Sequence, residues 1–400
     1  MAAVDYDVIV VGGGVIGLAA AWHAARAGAR VRLVERFDFG HERGSSGGSS
    51  RFFRVMHGHP TLTQLAAGPA ERAWRELEAD AARPLLTAVE VLFFGAADVP
   101  TPHGSLADCR RSLDALGIAY EAHDAASLGR RYPALAPMPS DHIGLVQPAA
   151  VIHADEAQRA LIDAGRARGA TLAAHEVVTR IARSRSGIAV TTDRATWLAR
   201  AVIVAAGAWT NELLAPLGVA LDLEVWEMTY ARHETSGGFR YPMWCYFGRP
   251  DAAGEHLYYG VPPVTFDPAM KVGTNWTRRR SATPDERTGE PDAALIALQG
   301  RFLARAFRGV AADAIPGSAR TCLYVMTADG RPVLDVVPDA AGRRDVAVFT
   351  GETGQSFKFA PLIGRLLTEL VLGDRPSEDI AALSIARPGI VRSRDTAARE

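Results

Sequence analysis

Three mostly apolar runs that lead into glycine organise the chain: Tyr6–Val11 before Gly12, Ala201–Ala206 before Gly207, and Val346–Thr350 before Gly351. Runs of this length predict strands buried on both faces, the habit of parallel sheets. The first is followed by an alanine-rich helical stretch, Leu18–Ala27, that stops at Gly28, a natural C-terminal glycine. A short strand, Val31–Val34, comes next, so the first 35 residues predict one βαβ unit. Helical spacing predicts further helices over Thr63–Ala79, Leu106–Leu116, Glu156–Gly169 and Ala360–Leu372. Ala88–Phe94 predicts a strand and Val177–Val190 a strand pair, while Gly40–Ser50 is a glycine- and serine-rich loop. From Trp226 to Tyr259 aromatic residues become dense, and alternating strands separated by turns are expected there. The charged tail from Pro388 onward is expected to fray.

At 400 residues the chain has room for two domains or one large composite domain. A formal net charge of −1 offers no basic excess for a run of phosphates, which argues against nucleic acid as a partner. The three cysteines, Cys109, Cys245 and Cys322, are too few and too odd in number for a disulfide framework and point to a reducing compartment. None has the spacing of a zinc site, and no metal is expected. Asp5 and Asp7 precede the first apolar run, where an export signal would carry positive charge. The run Val8–Ala21 is too short and too glycine-rich to span a bilayer. A cytoplasmic protein with no membrane partner is expected.

One bias sharpens the search for chemistry. Of the 44 basic residues only Lys271 and Lys358 are lysine. Arginine serves wherever a surface charge suffices, but it cannot replace a compact ammonium with a shiftable pKa. Both lysines are therefore candidates for a role.

The glycines after the first strand carry the next inference. Gly12, Gly14 and Gly17 form a GxGxxG between strand and helix, and Glu35 closes the second strand 18 positions beyond Gly17, near the roughly 20 expected. Gly12 permits the tight turn, Gly14 lets backbone approach a pyrophosphate, and Gly17 allows close helix–strand packing. The helix N-terminus at Val15 faces the anion, and Glu35, with Arg36 beside it, meets a ribose. An acidic residue there disfavours a 2′-phosphate. The motif alone does not separate NAD from FAD. The strand ending at Gly207 and the strand entering Gly351-Glu352-Thr353-Gly354 favour FAD, because they resemble the segments that contact the dinucleotide and cover the ring in flavoproteins.

Five further blocks identify the chain's likeness: GSSGGSSRFFR (Gly44–Arg54), YYGVP (Tyr258–Pro262), MKVG (Met270–Gly273), RTCLY (Arg320–Tyr324) and QSFKF (Gln355–Phe359). In this order they resemble the monomeric sarcosine oxidase and N-methyltryptophan oxidase family, within the D-amino-acid-oxidase group of flavoproteins. The resemblance covers residues 5 to 388. It implies an α/β, two-domain (α+β) fold: a Rossmann-like FAD-binding domain from 1–85, 146–215 and 318–388, and a discontinuous, sheet-rich substrate domain from 86–145 and 216–317. Residues 389–400 are left as a tail.

The resemblance also implies site residues. Thr321-Cys322-Leu323-Tyr324 matches the context in which the family attaches flavin to cysteine, making Cys322 the tether. Lys271 matches the lysine that promotes reaction with O2, where an ammonium stabilises developing superoxide. Arg54 and Lys358 match the ligands of the substrate carboxylate, and Lys358 also borders the ring. Arg51 matches an arginine beside the flavin. Tyr259 and Tyr324 match the lining of the substrate pocket, and Ser45, Ser46, Val178 and Trp209 match cofactor contacts, with Gly207 and Gly354 on the neighbouring turns. Two departures border the substrate: Asn275 and Gln355 stand where the sarcosine oxidases have histidine. Gly47 likewise replaces a histidine.

The function implied is an FAD-dependent amine oxidase that converts a secondary amino acid to an imine and O2 to H2O2, acting as a monomer on a small molecule. Asn275 and Gln355 leave room for a cyclic imino acid of a natural-product pathway as substrate. A flavin dehydrogenase with another electron acceptor, an NAD-linked dehydrogenase and a flavin-binding protein without turnover are the competing readings.

Overall fold

The computed structural model describes residues 4–252, 254–373 and 375–392. The βαβ unit forms as the pattern predicts. Tyr6–Val11 pairs in parallel with Val31–Val34 on one side and with Thr196–Val204 on the other. Val346–Thr350 and Thr171–Ala173 extend the parallel set at its two ends. Val333–Val336 and the hairpin Val178–Arg183/Ile188–Thr192 add antiparallel strands. The helices Val15–Arg26 and Ala360–Leu372 pack against each other on this sheet because Gly364 has no side chain: a Cβ there would lie 2.5 Å from the Ala19 carbonyl carbon. Ile9, Val10, Val202, Ile203 and Val348 are fully buried, which is why these strands read as unbroken apolar runs.

A second, larger sheet contains the aromatic-rich segment. Its order runs Arg280–Ser281, Leu223–Thr235, Met270–Thr274, Gly254–Val261, Met243–Asp251, Leu86–Ala96, His142–His153, Ser50–Phe53. Its outer face is filled by rings: Tyr258 stacks on Phe302 with centroids 4.4 Å apart, and Trp244 packs on Phe307 at 4.9 Å. The overall α/β architecture is the one expected. The sheets, however, cross the expected domain limits. His142–His153 runs through residue 146 as one strand. Arg320–Thr327 joins the second sheet, because the edge of Leu223–Tyr230 pairs with it residue by residue. Ser50–Phe53 joins it through His153–Ala150.

Two local expectations are corrected. The helix expected over Thr63–Ala79 divides into Pro60–Leu65 and Glu71–Ala81, joined by a π-helical turn at Ala66–Ala70. Gly68 takes φ +149°, and Pro69 has no N–H to continue the ladder. The tail does not fray at Pro388: Ile390 is fully buried, its carbonyl accepts from Asp222 N–H at 2.7 Å, and Arg392 N–H donates to Ala220 at 2.9 Å. The rest of the expected tail, 393–400, lies outside the described residues. Among the described residues no helix is long and apolar enough to cross a membrane.

Candidate active site

The glycine turn builds one end of a long cavity lined from both sheets. Gly12 takes φ +106°, and a Cβ on it would meet the Ala205 carbonyl oxygen at 2.4 Å. A Cβ on Gly17 would lie 1.9 Å from the Gly12 carbonyl oxygen, so helix and strand approach as closely as the motif requires. Gly17 itself does not line the cavity; Gly12, Gly14 and Val15 do. Gly14 caps the helix without a side-chain bond, and Val15 N–H donates to Ser46 Oγ at 3.1 Å. Glu35 is buried and organises the turn: Oε2 accepts from Gly13 N–H at 2.6 Å and Oε1 from Phe37 N–H at 2.8 Å.

Arg36 lies between Phe37 and Trp209, its guanidinium carbon 5.3 Å from each ring. With Val178 and Gly207 these side chains line the same end. The Trp209 Nε1–H is buried and has no partner among the described residues, a donor free for a ligand. A bare glycine cradle, a helix N-terminus, an acidic residue at the second strand and an orphaned indole donor suit a dinucleotide such as FAD.

The other end of the cavity is rich in cations. Arg51, on the strand Ser50–Phe53, donates to the carbonyls of Ser50 at 2.9 Å and Ser45 at 3.1 Å, and to that of Gly47. Lys271, on Met270–Thr274, is buried; its Nζ donates to the Ser50 carbonyl at 2.9 Å and lies 4.5 Å from the Tyr230 ring centroid. Arg54 donates to the Met56 carbonyl and to Gln355 Oε1 at 3.2 Å, with Phe93 4.9 Å from its guanidinium carbon. Lys358, buried in a short turn before the helix Ala360–Leu372, donates to the Gln355 carbonyl.

Burial is the main force holding the pKa values of both lysines well below the ordinary range; Arg51 adds to it at Lys271 and Arg54 at Lys358. Burial also lowers that of Arg54.

Cys322, on Arg320–Thr327, faces the cavity, and burial raises its thiol pKa against the opposing charges of Arg51 and Lys271. Tyr259 and Tyr324 hydrogen-bond each other, and burial raises both phenols, so both stay neutral. Gly354 gives Tyr324 its place: a Cβ there would lie 2.2 Å from the ring. Asn275 and Gln355 also line the cavity. All the residues singled out in the sequence thus meet in one space, apart from Gly17 beneath it.

Lining residues not singled out for this site include His103, Tyr230, Cys245, Glu352 and Phe357. His57, just outside the main cavity, hydrogen-bonds Gln355 Oε1 at 3.0 Å. Glu352 is buried, accepts from Ser45 Oγ and from Val325 N–H at 3.2 Å, and burial raises its carboxyl to about 7. Cys245 is buried on the cavity wall, and burial pushes its thiol up to about 12.

Comparison with known proteins agrees with this geometry. Residues 7–370 match the profile of the FAD dependent oxidoreductase family. The peroxisomal sarcosine oxidase of Mus musculus is 30% identical over 395 residues, covering 96% of each chain. The monomeric sarcosine oxidase of Bacillus sp. (strain B-0618) is 26% identical over 404 residues, covering 97% of each. The solved structure of NikD, an unusual amino acid oxidase essential for nikkomycin biosynthesis, superposes with a TM-score of 0.86 at 32% identity, over 95% of this chain and 97% of that one. The chain therefore belongs to the family of FAD-dependent oxidoreductases.

Proposed function

We propose that this enzyme oxidises the C–N bond of a secondary amino acid, with FAD tethered through Cys322 and O2 as electron acceptor. The observation that carries the reading is the pair Arg54 and Lys358. Both are buried on the cavity wall, and among the described residues neither forms an ion pair with a carboxylate. Buried cations without a counter-ion call for an anionic ligand, and a planar guanidinium suits a carboxylate. The likeness to sarcosine oxidases over almost the whole chain supports an amine as the rest of that ligand.

In this reading Arg54 and Lys358 fix the carboxylate and so set which carbon faces the ring. Two cations facing one carboxylate leave a positive surplus, which lowers the pKa of the substrate amine and favours its neutral form. Tyr259 and Tyr324, kept neutral by burial, close the pocket without adding charge. The amine gives up two electrons and two protons, one from carbon and one from nitrogen, and leaves as the imine; O2 takes both pairs and becomes H2O2. FAD, when bound, supplies the two-electron acceptor that joins these halves. Lys271 places a cation where charge develops on oxygen. No side chain is assigned as general base. A monomer acting in the cytoplasm belongs to the same reading; the three unpaired cysteines support a reducing compartment for it.

Anaerobic mixing of the flavin-loaded enzyme with N-methyl and cyclic amino acids tests it. At least one should bleach the flavin, and its descarboxy analogue should not; with air, peroxide should appear in equal amount. Failure of every carboxylate-bearing amine to bleach a fully loaded enzyme would overturn the proposal. The likeness to NikD favours a second reading, an oxidase serving a biosynthetic pathway on a cyclic imino acid. A preference for cyclic over N-methyl substrates in the same panel would support it.

A further inference from the structure

Gln355 has no bonding capacity left for a ligand. Its Oε1 accepts from Arg54 Nη2 at 3.2 Å and lies 3.0 Å from His57 Nδ1. Its Nε2 lies 2.7 Å from His103 Nδ1 and donates to Thr353 Oγ1 at 3.4 Å. A guanidinium only donates, so the oxygen of the amide must face Arg54, and this fixes the amide's orientation. His57 must then carry its proton on Nδ1 to meet that oxygen. His103 must leave Nδ1 bare to accept from the amide nitrogen, and its other nitrogen donates to the Gly330 backbone. Both rings are neutral. Burial, with the charges of Arg54 and Lys358, holds His57 well below its ordinary range and His103 at about 3.

These bonds leave one lone pair unused. His57 Nε2 is buried, and nothing among the described residues donates to it. The ring lines a side chamber of about 30 Å3 that shares Arg54, His103, Cys245, Asn275 and Gln355 with the main cavity; the rest of its wall combines apolar groups such as Phe93 and Leu257 with Thr101 and Tyr246. That is room for about two water-sized groups. A buried acceptor with no donor is costly unless something supplies one.

We propose that this chamber is a substrate subsite, in which His57 Nε2 accepts a hydrogen bond from a compact hydroxyl or N–H group on a substrate whose carboxylate lies on Arg54. The inference rests on the amino-acid oxidase reading of the main cavity. A neutral donor is favoured over an ammonium, because Arg54 and Lys358 are close by. An ether or carbonyl oxygen is rejected, since it would bring a second lone pair against the first. Gln355 is then a positioning residue: it sets the tautomer of His57 and the aim of Arg54 and touches no substrate itself.

Ring isosteres that are not oxidised test this without turnover. Pyrrole-, thiophene- and furan-carboxylates, with the carboxyl at position 2 or 3, present a donor, an apolar edge and an acceptor in nearly the same volume. Dissociation constants are read from the flavin spectrum of the holoenzyme. One pyrrole isomer should bind about tenfold tighter than its thiophene and furan partners. His57→Leu should erase that preference while thiophene binding holds, and His57→Gln, which keeps a neutral acceptor, should retain part of it. Flavin content and unfolding midpoint verify that each variant is folded. Equal binding of the three rings to the wild type, or a preference that survives His57→Leu, overturns the subsite. If no ring carboxylate and no secondary amino acid perturbs the flavin, it is the amino-acid reading itself that falls.

Discussion

Lys271 and Ser50 are joined by a single bond, Nζ to the backbone carbonyl at 2.9 Å, and this is the only side-chain hydrogen bond of the lysine among the described residues. The ammonium is otherwise met by the Tyr230 ring at 4.5 Å and forms no ion pair there. A cation so placed keeps its field for whatever occupies the cavity. Lys271→Met preserves the length of the stem and removes the charge. Reoxidation by O2 should slow on the order of 10²-fold or more, while substrate reduces the flavin at nearly the wild-type rate. Stopped-flow traces of the two half-reactions separate these outcomes, and equal slowing of both would remove the assigned role. Because burial lowers the pKa of this lysine, its cationic form is lost as pH rises, before the ordinary lysine range is reached. Reoxidation should decline with it.

Arg54 and Lys358 differ in how they should answer a ligand. The guanidinium stays charged, whereas burial makes the ammonium of Lys358 easier to deprotonate when the site is empty. A bound carboxylate opposes that loss, so binding should take up a proton at pH values below the ordinary lysine range, where the empty site has begun to release it. Calorimetry in buffers of different ionisation heat measures the uptake, and Lys358→Met should abolish it. Either Lys358→Met or Arg54→Met should weaken binding of an unreactive carboxylate roughly 10- to 100-fold. Proton uptake that persists in Lys358→Met would assign the titration to another group.

Cys322 tests the tether. Its strand, Arg320–Thr327, holds the thiol on the cavity wall opposite Met228 in the neighbouring strand. Burial disfavours the thiolate, while the charges of Arg51 and Lys271 favour it. Acid precipitation of the wild type should carry the yellow colour into the pellet, with a mass increase equal to FAD. Cys322→Ser should leave the colour in the supernatant while the folded variant still binds FAD through the glycine turn. A colour that stays with Cys322→Ser would move the tether to another residue.

What could be read in the sequence follows from physical locality. The βαβ unit was legible because strands buried on both faces leave continuous apolar runs, and because Gly12 and Gly17 meet steric limits that no other residue satisfies. The cations were legible through blocks of a few residues each. The cluster of His57, His103 and Gln355 was not, since its members lie 298 and 252 positions apart and share no spacing. Gln355 could be noticed as a departure from histidine, but not that its amide is saturated. Glu352 was read as part of a covering strand; its meeting with Ser45, 307 positions away, exists only in the fold. The break at Gly68 and Pro69 was visible as composition and was outweighed by the apolar spacing around it.

Glu352 makes the last prediction, on stability. Burial raises its carboxyl from an ordinary 4.5 to about 7. Below 4.5 both the folded and the unfolded chain hold the proton, so the group contributes no pH dependence. Between 4.5 and about 7 the unfolded chain releases a proton that the folded chain keeps, and stability falls as pH rises. Above that window both are ionised, and the full penalty, roughly 3 kcal/mol at most, remains. The bonds that Ser45 Oγ and Val325 N–H donate to the carboxylate oppose this rise without cancelling the effect of burial. Glu352→Gln keeps a donor and an acceptor in place and removes the titration. Urea unfolding at several values between pH 5 and 8 should show the difference in stability between variant and wild type growing in the variant's favour as pH rises to about 7 and then levelling off. Parallel curves across that window would mean that the carboxyl is ionised throughout in the folded and the unfolded chain alike.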